Sequence, residues 1–301
     1  MSVQTPTSTQ APQPALPKKR QKSETASRRH GIAPWLVLGA VMFTVLAWLF
    51  PLWMAVVNAF KTPQDFLNSG SLSFPKSLDF SSITKFWTDV DFNRKLYNSI
   101  QVSFWVALIG VALSFLTAYA IGIGRIKGRN VVLGLFMVAF TIPQEALIYP
   151  LYKMAKTFGL YDSVWSVIII FSVLQSAFGT YMLSSVLSEF PGEILEAAEI
   201  DGAGSFRIMW NVVLPIVRPT MMVLATFFFI WTWNEFLIPL VMLPSNDSQT
   251  VALSMAITTG QYTSDPTTRA AAALVGLLPS LGFFLVFQRT LMRGVTLGAV
   301  K

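Results

Sequence analysis

Ser99-Ile-Gln-Val-Ser-Phe-Trp-Val-Ala-Leu-Ile-Gly110-Val-Ala-Leu-Ser114-Phe-Leu-Thr-Ala118-Tyr-Ala-Ile121 runs for 23 residues without a charged side chain. Crossing the hydrocarbon core of a bilayer as an α-helix takes about 20 predominantly apolar residues, so this stretch predicts a transmembrane span. Gly110, Ser114, Ala118 and Gly122 recur at every fourth position, which puts four small residues on one helix stripe. Such a stripe lets a neighbouring backbone approach closely. Helix packing is the reading it supports, ahead of any pore role.

The chain repeats this pattern on both sides. Of its 301 residues 53% are hydrophobic and only 12% charged, against about a quarter charged in soluble domains. Further spans are predicted over residues 33–57, 131–151, 164–187, 220–241 and 271–287, which makes six. Trp35 and Trp53 flank the first as interfacial anchors, and Pro143 and Pro150 interrupt the third. Residues 1–30, rich in Pro, Gln, Ser, Thr and charge, predict a disordered cytoplasmic tail. The organisation that follows is a first span with an external segment over 31–97, a core over 98–289, and a C-terminal tail over 290–301. Glu145 and Glu235 are the only acids placed in or at the edge of a span.

Orientation follows from the basic residues, which cluster on the cytoplasmic side of membrane proteins. With the N-terminus inside, 14 of the 22 Lys and Arg fall on the tail side and 8 on the other. Both termini are therefore expected in the cytoplasm. Six basic residues, Lys18, Lys19, Arg20, Lys22, Arg28 and Arg29, sit just before the first span with no aromatic residue among them. This placement fits topology control better than nucleic-acid binding as the reason for the net charge of +7.

Several chemistries lack their residues. There is no Cys, and His30, the only histidine, lies in the basic tail, so neither a thiolate metal site nor a catalytic histidine is available. No Gly-x-x-x-x-Gly-Lys-Ser/Thr pattern occurs, so no P-loop binds ATP here. Gly122, Gly124 and Gly128 echo a glycine-rich loop only by chance, and Asn246-Asp247-Ser248 is a chance sequon.

The polar loop at 188–219 carries the most information. It reads Pro191-Gly-Glu193-Ile194-Leu-Glu196-Ala197-Ala198-Glu199-Ile200-Asp201-Gly202-Ala203-Gly204-Ser205-Phe206-Arg207 and continues to Leu214-Pro215-Ile-Val-Arg218-Pro219. Pro191 suits a helix start, and Glu193 complements the positive end of the helix dipole. Gly202 suits the position after the helix end, and Ser205 a second cap. Pro215 and Pro219 are expected to break the chain before the fifth span. The predicted unit is a helix, a sharp turn and a second helix outside the bilayer. Ile194, Ala197, Ala198 and Ile200 give the first helix a small apolar face for a partner.

Glu196-Ala197-Ala198, Asp201-Gly202-Ala203 and Leu214-Pro215 together resemble the EAA signature of binding-protein-dependent ABC permeases. The resemblance implies an all-α integral membrane protein of the ABC importer permease fold, with five core helices plus an extra first helix. It also implies that the loop forms coupling helices seated in a cleft of a cytoplasmic ATPase. Glu196, Ala197, Ala198, Asp201, Gly202, Ala203, Leu214 and Pro215 are the coupling candidates that result. Ile142-Pro143, Ile148-Tyr149-Pro150-Leu151-Tyr152, Gly159-Leu160-Tyr161-Asp162, Trp233-Asn234-Glu235-Phe236 and Phe287-Gln288-Arg289…Gly298-Ala299-Val300-Lys301 are similar to the maltose-transporter type of carbohydrate importer. The partners implied are a second homologous permease, two ATPase subunits that hold ATP and Mg, and an extracytoplasmic solute-binding protein. This chain itself would bind no cofactor and would lie in a bacterial inner membrane.

Trp233, Asn234 and Glu235 are candidates for the substrate pathway, because indole rings stack on sugars and amides and carboxylates hydrogen-bond them. An intramembrane carboxylate is costly enough to suggest function, yet Glu235 as a buried bridge between helices is the plainer account. A rival of another class is a secondary transporter driven by an ion gradient. It would need paired broken helices in two halves, and it leaves the 188–219 loop unexplained. A membrane enzyme is the other rival, and it lacks catalytic residues.

Overall fold

The computed structural model describes residues 32–124, 126–261 and 265–299, with side chains over 34–124, 126–256 and 265–288. The tail expected over 1–30, Arg125 of the basic turn, and Val300 and Lys301 lie outside the described residues. Among those described there is no strand. In chain order the helices are α1 (Ile32–Ala59), α2 (Pro63–Ser69), α3 (Ser81–Asp89), α4 (Phe92–Gly122), α5 (Arg129–Thr141), α6 (Gln144–Thr157), α7 (Val164–Ser188), α8 (Gly192–Ile200) and α9 (Ser205–Ile208). A π-helical turn (Met209–Val213) leads into α10 (Leu214–Asn234) and α11 (Leu237–Met242). A 3-10 turn (Asn246–Ser248), α12 (Val251–Gln261) and α13 (Pro266–Ala299) complete the chain.

Five stretches are long and apolar enough to span a bilayer: Pro34–Ala59, α4, α7, the rod Ser205–Asn234, and Pro266–Gln288. A sixth is formed if α5 and α6 count as one span bent by 92°. The packing favours that count. Gly122, at the end of α4, lies against Leu187, at the end of α7, while the starts of both helices hold the same 245–249 segment. The two helices are therefore parallel, and the chain between them has to cross the bilayer once. The rod runs the other way, since Tyr119 near the end of α4 meets Ser205 at its start. Phe229 meets Phe287 of α13, while Trp233, one turn on, bonds Ser280, so α13 runs antiparallel to α10 and returns to the end that carries α8.

The small-residue stripe of α4 is buried as expected. Gly110, Ser114, Ala118 and Gly122 all face inward. A Cβ placed on Gly179 of α7 would lie 2.1 Å from the Ser114 hydroxyl, and one on Gly110 would lie 3.0 Å from Phe228. The approach at Gly179 leaves no room for a Cβ, and at Gly110 the Phe228 ring would have to give way. Without a hydrophobic drive between helices in lipid, such close van der Waals packing is what holds the bundle.

Three expectations about prolines and loops change. Pro150 lies inside α6 without breaking it; the break falls at Ile142, held extended (ψ 123°) by Pro143 after it. Pro215 and Pro219 do not separate the polar loop from the fifth span. The missing N–H groups are absorbed where Pro215 sits in the first turn of α10 and the preceding turn widens, the Leu214 N–H reaching back to Met209. The fifth span in turn starts far earlier than residue 220 and stops at Asn234, where Glu235 is extended (ψ 134°). The 243–269 segment, expected as a loop, contains α12. α4 begins before the expected boundary at 97, and α13 continues past the one at 290.

The end opposite α8 is laced by polar side chains. Lys61 is fully buried, and its Nζ donates to Asn58 Oδ1 (3.0 Å), the Gly70 carbonyl (2.7 Å) and Ser73 Oγ (3.1 Å). Three acceptors satisfy the three ammonium donors. Burial pushes its pKa below the usual lysine range, and Asp65 offsets part of that. The Lys95 ammonium reaches the Asn246 carbonyl, and Asn98 Nδ2 donates to the carbonyls of Asp247 (2.8 Å) and Gln249 (3.0 Å). The Val251 N–H donates to Ser99 Oγ (2.8 Å), which ties down the start of α12. Asp162 accepts from the Ser245 N–H (3.1 Å) and both the Ser245 and Ser248 hydroxyls. Burial raises the Asp162 pKa, but these hydrogen bonds outweigh it and hold the carboxyl below the usual range.

Candidate functional site

Residues 189–208 of the polar segment fold into one compact turn at the end of the bundle where α4, α7 and α13 finish, and residues 214–219 belong to α10. α8 starts after Pro191, with Glu193 in its first turn. Its C-terminus is closed by the Gly202 N–H donating to the Glu199 carbonyl and the Ala203 N–H to the Ala198 carbonyl, both at 3.0 Å. This pair of bonds is a Schellman closure. It requires a left-handed residue after the cap, and Gly202 supplies φ +74°. Nothing lies within 4 Å of where its Cβ would be, so the backbone conformation alone calls for glycine. α9 follows, capped by Gly204, with Ser205 as its first helical residue and no side-chain cap bond. The cap expected from Ser205 is not made.

The faces of α8 divide differently from the sequence expectation. Leu195, Ala198 and Ala203 pack against the main hydrophobic core. Ala197, Ile194 and Ile200 point away from it, and Ile200 is 86% exposed. Glu196, Asp201 and Gly202 are exposed as well. Leu214 and Pro215 lie beyond the π-helical turn, at the start of α10. Leu214 is half-buried on the core and Pro215 is exposed, so these two are not part of the turn itself.

Two features of this end are invisible in the motif. Phe206 is 73% exposed, and its ring meets that of Trp210 at 6.0 Å, edge to face. Their spacing of four along a helix was the available signal. Behind α8 lies a cavity of about 820 Å³, lined by residues that include Tyr119, Arg129, Leu187, Glu196, Glu199 and Ser205. The Tyr119 hydroxyl, donating to the Ser205 carbonyl at 3.0 Å, is the one side-chain hydrogen bond that ties residues 189–213 to another helix among the described residues.

The pathway candidates do not converge. Trp233 is buried, and its indole N–H donates to Ser280 Oγ (2.9 Å), bridging α10 to α13. Asn234 is exposed and donates to the Ile230 carbonyl. Glu235 turns the other way: its Oε2 accepts from Gln144 Nε2 (3.2 Å), and its Oε1 from the N–H groups of Phe236 (3.2 Å) and Leu237 (3.1 Å). The carboxylate thus bridges the two helix breaks and caps α11. Trp233 and Asn234 border a cavity of about 530 Å³ against α12 and α13, and Glu235 borders a separate one.

Comparison with known proteins gives this arrangement its relatives. Residues 110–293 match the family described as binding-protein-dependent transport system inner membrane component. A probable starch degradation products transport system permease protein of Thermoanaerobacterium thermosulfurigenes is 30% identical over 85% of this chain and 93% of its own length. A trehalose transport system permease protein of Mycobacterium tuberculosis is 28% identical over 88% and 94%. The crystal structure of a bacterial ABC transporter that imports alginate shares the fold, with a TM-score of 0.73 at 18% identity over 86% of this chain and 96% of that one. The matched stretch takes in α7, the 188–219 turn, α10 and most of α13. This chain belongs to the binding-protein-dependent transport system inner membrane components and is a multi-pass permease subunit of an ABC transporter.

Proposed function

We propose that this chain forms half of the translocation pathway of an ATP-driven carbohydrate importer and takes up the work of the ATPases through α8. The single observation that carries the coupling role is the construction of the 191–205 turn. One face of α8 is anchored in the core and its end is locked by a Schellman closure, while Ile194, Ala197 and Ile200 are left uncovered. A rigid element with an uncovered apolar edge suits a partner surface. The continuous rod Ser205–Asn234 supports a mechanism. Movement imposed on α8 passes through the closed 201–204 turn into α9, and from there through the π-helical turn into a transmembrane helix without a further break.

In this reading both termini and α8 face the cytoplasm. Two ATPase subunits hold ATP and Mg beneath the turn, a second homologous permease completes the pathway, and a solute-binding protein delivers the ligand from outside. The chain lacks a P-loop and hydrolyses nothing itself. A carbohydrate is favoured because relatives spanning nearly the whole chain are named for starch degradation products and trehalose. The test is reconstitution of this chain with its ATPase subunits, second permease and binding protein. The expected outcome is sugar uptake that stops on ATP depletion. Uptake that persists without ATP while an ion gradient stands would instead establish a secondary transporter.

A further inference from the structure

The chain does not leave the bilayer directly after α1. Trp35 and Trp53 stand 18 residues apart on that helix, about 27 Å at the rise of an α-helix and close to the thickness of a hydrocarbon core. Trp53 therefore marks the edge of the core at the end opposite α8, and Ala59 stands about 9 Å beyond it. From there the segment turns back. The Ser71 carbonyl accepts from Asn58 Nδ2 (3.0 Å), and the Phe74 ring meets that of Trp53 edge to face at 5.0 Å. By residue 79 the chain has returned: the Asp79 N–H donates to the Phe60 carbonyl (3.0 Å), and the rings of Phe80 and Phe60 meet at 5.2 Å. Residues 70–80 thus form a loop that runs down α1 to the level of Trp53 and comes back.

For water, this loop is inside out. Ser71, Ser73 and Asp79 are half-buried, and the buried Lys61 donates to the Gly70 carbonyl and to Ser73 Oγ. Leu72, Phe74 and Leu78 point away, at 63%, 70% and 71% exposure. A single exposed Leu or Phe is ordinary, but here every Leu and Phe of residues 70–80 is exposed while two serines turn inward. Lipid suits this face better than a protein partner. The loop is continuous with a span and reaches the depth of that span's interfacial tryptophan. The charges of residues 60–80 cancel, Lys61 and Lys76 against Asp65 and Asp79, so no patch of one sign is offered to a partner. None of the buried polar side-chain atoms left without a hydrogen bond among the described residues lies here.

We propose that residues 70–80 are a membrane-dipping loop, with Leu72, Phe74 and Leu78 seated between the headgroups and upper acyl chains of the leaflet opposite α8. Interfacial elements of this kind sit about 5–10 Å into that boundary, and without basic residues to draw anionic lipid they are held by apolar area. The loop pins the end of α1 at a fixed height in the bilayer.

The chain has no cysteine, so Phe74→Cys and Leu78→Cys each place one bimane fluorophore on the loop, in an assembled transporter whose other subunits have been freed of cysteine. After reconstitution into phosphatidylcholine vesicles, quenching by lipid with a nitroxide high on its acyl chain is compared with quenching by iodide on both sides of the membrane. The nitroxide lipid is expected to quench about three-fold or more above iodide at both positions, as befits a label inside the boundary. The ratio is expected to hold when phosphatidylglycerol replaces part of the phosphatidylcholine. Phe74→Cys removes the ring that meets Trp53, whereas Leu78→Cys leaves that contact in place and decides the outcome if the two differ. Stronger quenching by iodide at Leu78→Cys places the loop in water and overturns the proposal. Shielding from both quenchers, as a second permease or a solute-binding protein seated there would give, overturns it too, and so does quenching that requires phosphatidylglycerol.

Discussion

At the end of the bundle that holds α2, α3 and the Asn246–Ser248 turn, polar side chains close the structure on itself; at the end that holds α8, almost none do. Lys61 closes the segment that follows it, and Lys95, Asn98, Ser99 and Asp162 each bind backbone or hydroxyl groups far away in sequence. Tyr119 alone does so for the α8 turn among the described residues. Apolar side chains are uncovered at both ends, Leu67, Phe74 and Leu78 at the first and Ile200 and Phe206 at the second, but only the second sets them beside a cavity of about 820 Å³. One end carries its own stabilising contacts, and the other, on the function proposed above, is where a partner subunit would dock. Substitutions at the first should cost stability, and at the second they should cost coupling with little loss of folded protein.

The largest effect is expected from Gly202→Val. A β-branched residue at φ +74° is strained by roughly 1–2 kcal/mol or more, and relief would open the Schellman closure and re-aim α8. Transport in the assembled complex should fall more than about ten-fold, with membrane insertion and abundance unchanged. Wild-type uptake and ATPase stimulation in this variant would break the comparison.

Next comes Ile200→Glu, which alters an exposed side chain and no internal contact. Several-fold loss of ATPase co-purification is expected, with thermal stability of the chain unchanged within about 0.5 kcal/mol. Ala198→Arg is the contrast, because Ala198 packs on the core and the variant should lose abundance as well. If the two variants behave alike, the division of faces on α8 is wrong.

At the opposite end, Asn98→Leu removes two donors, which takes away the Asn98 bond to the Gln249 carbonyl and leaves the Asp247 carbonyl to Arg94 Nε. A stability loss of about 1–3 kcal/mol is expected, read by thermal unfolding, while coupling per folded transporter is retained.

The smallest effect is a pH dependence. The Asp162 pKa lies below its ordinary value in the folded chain, so the stability it adds is present above the unfolded carboxylate pKa, about 3.9. It is lost as pH falls through the folded pKa. Asp162 has φ +61°, a conformation that asparagine also tolerates, so Asp162→Asn removes the charge and leaves the turn. Unfolding temperatures of wild type and variant should differ at pH 7 and converge below about pH 4. A constant gap across that range would take Asp162 out of the lacing.

How much of this was readable in the sequence differs by feature. The spans follow from uninterrupted apolar runs, since lipid forces a helix to satisfy its own backbone. Gly202 could be placed as the residue after a helix end because few other residues take a left-handed backbone there. The prolines misled, because a proline breaks a helix only where its missing N–H cannot be absorbed. Pro143 sits at the start of a helix and marks a 92° bend, whereas Pro215 follows a π-helical turn and bends nothing of that kind.

By itself, then, the amino-acid order determined that the chain is a helical membrane protein, which segments cross, where the helix-turn-helix of residues 191–208 falls and which small residues line α4. Each depends on local chemistry: hydropathy, backbone conformation, side-chain size. Only the tertiary structure decided that Ala198 faces inward and Ile200 outward, and that Trp233 is spent on Ser280. It alone brought Gln144, Gln175, Trp231 and Glu235, drawn from three places in the chain, around one cavity. Those outcomes depend on which helix packs beside which, and α4, α7 and α10 meet where glycine and serine permit close approach, a match between surfaces that no single segment contains.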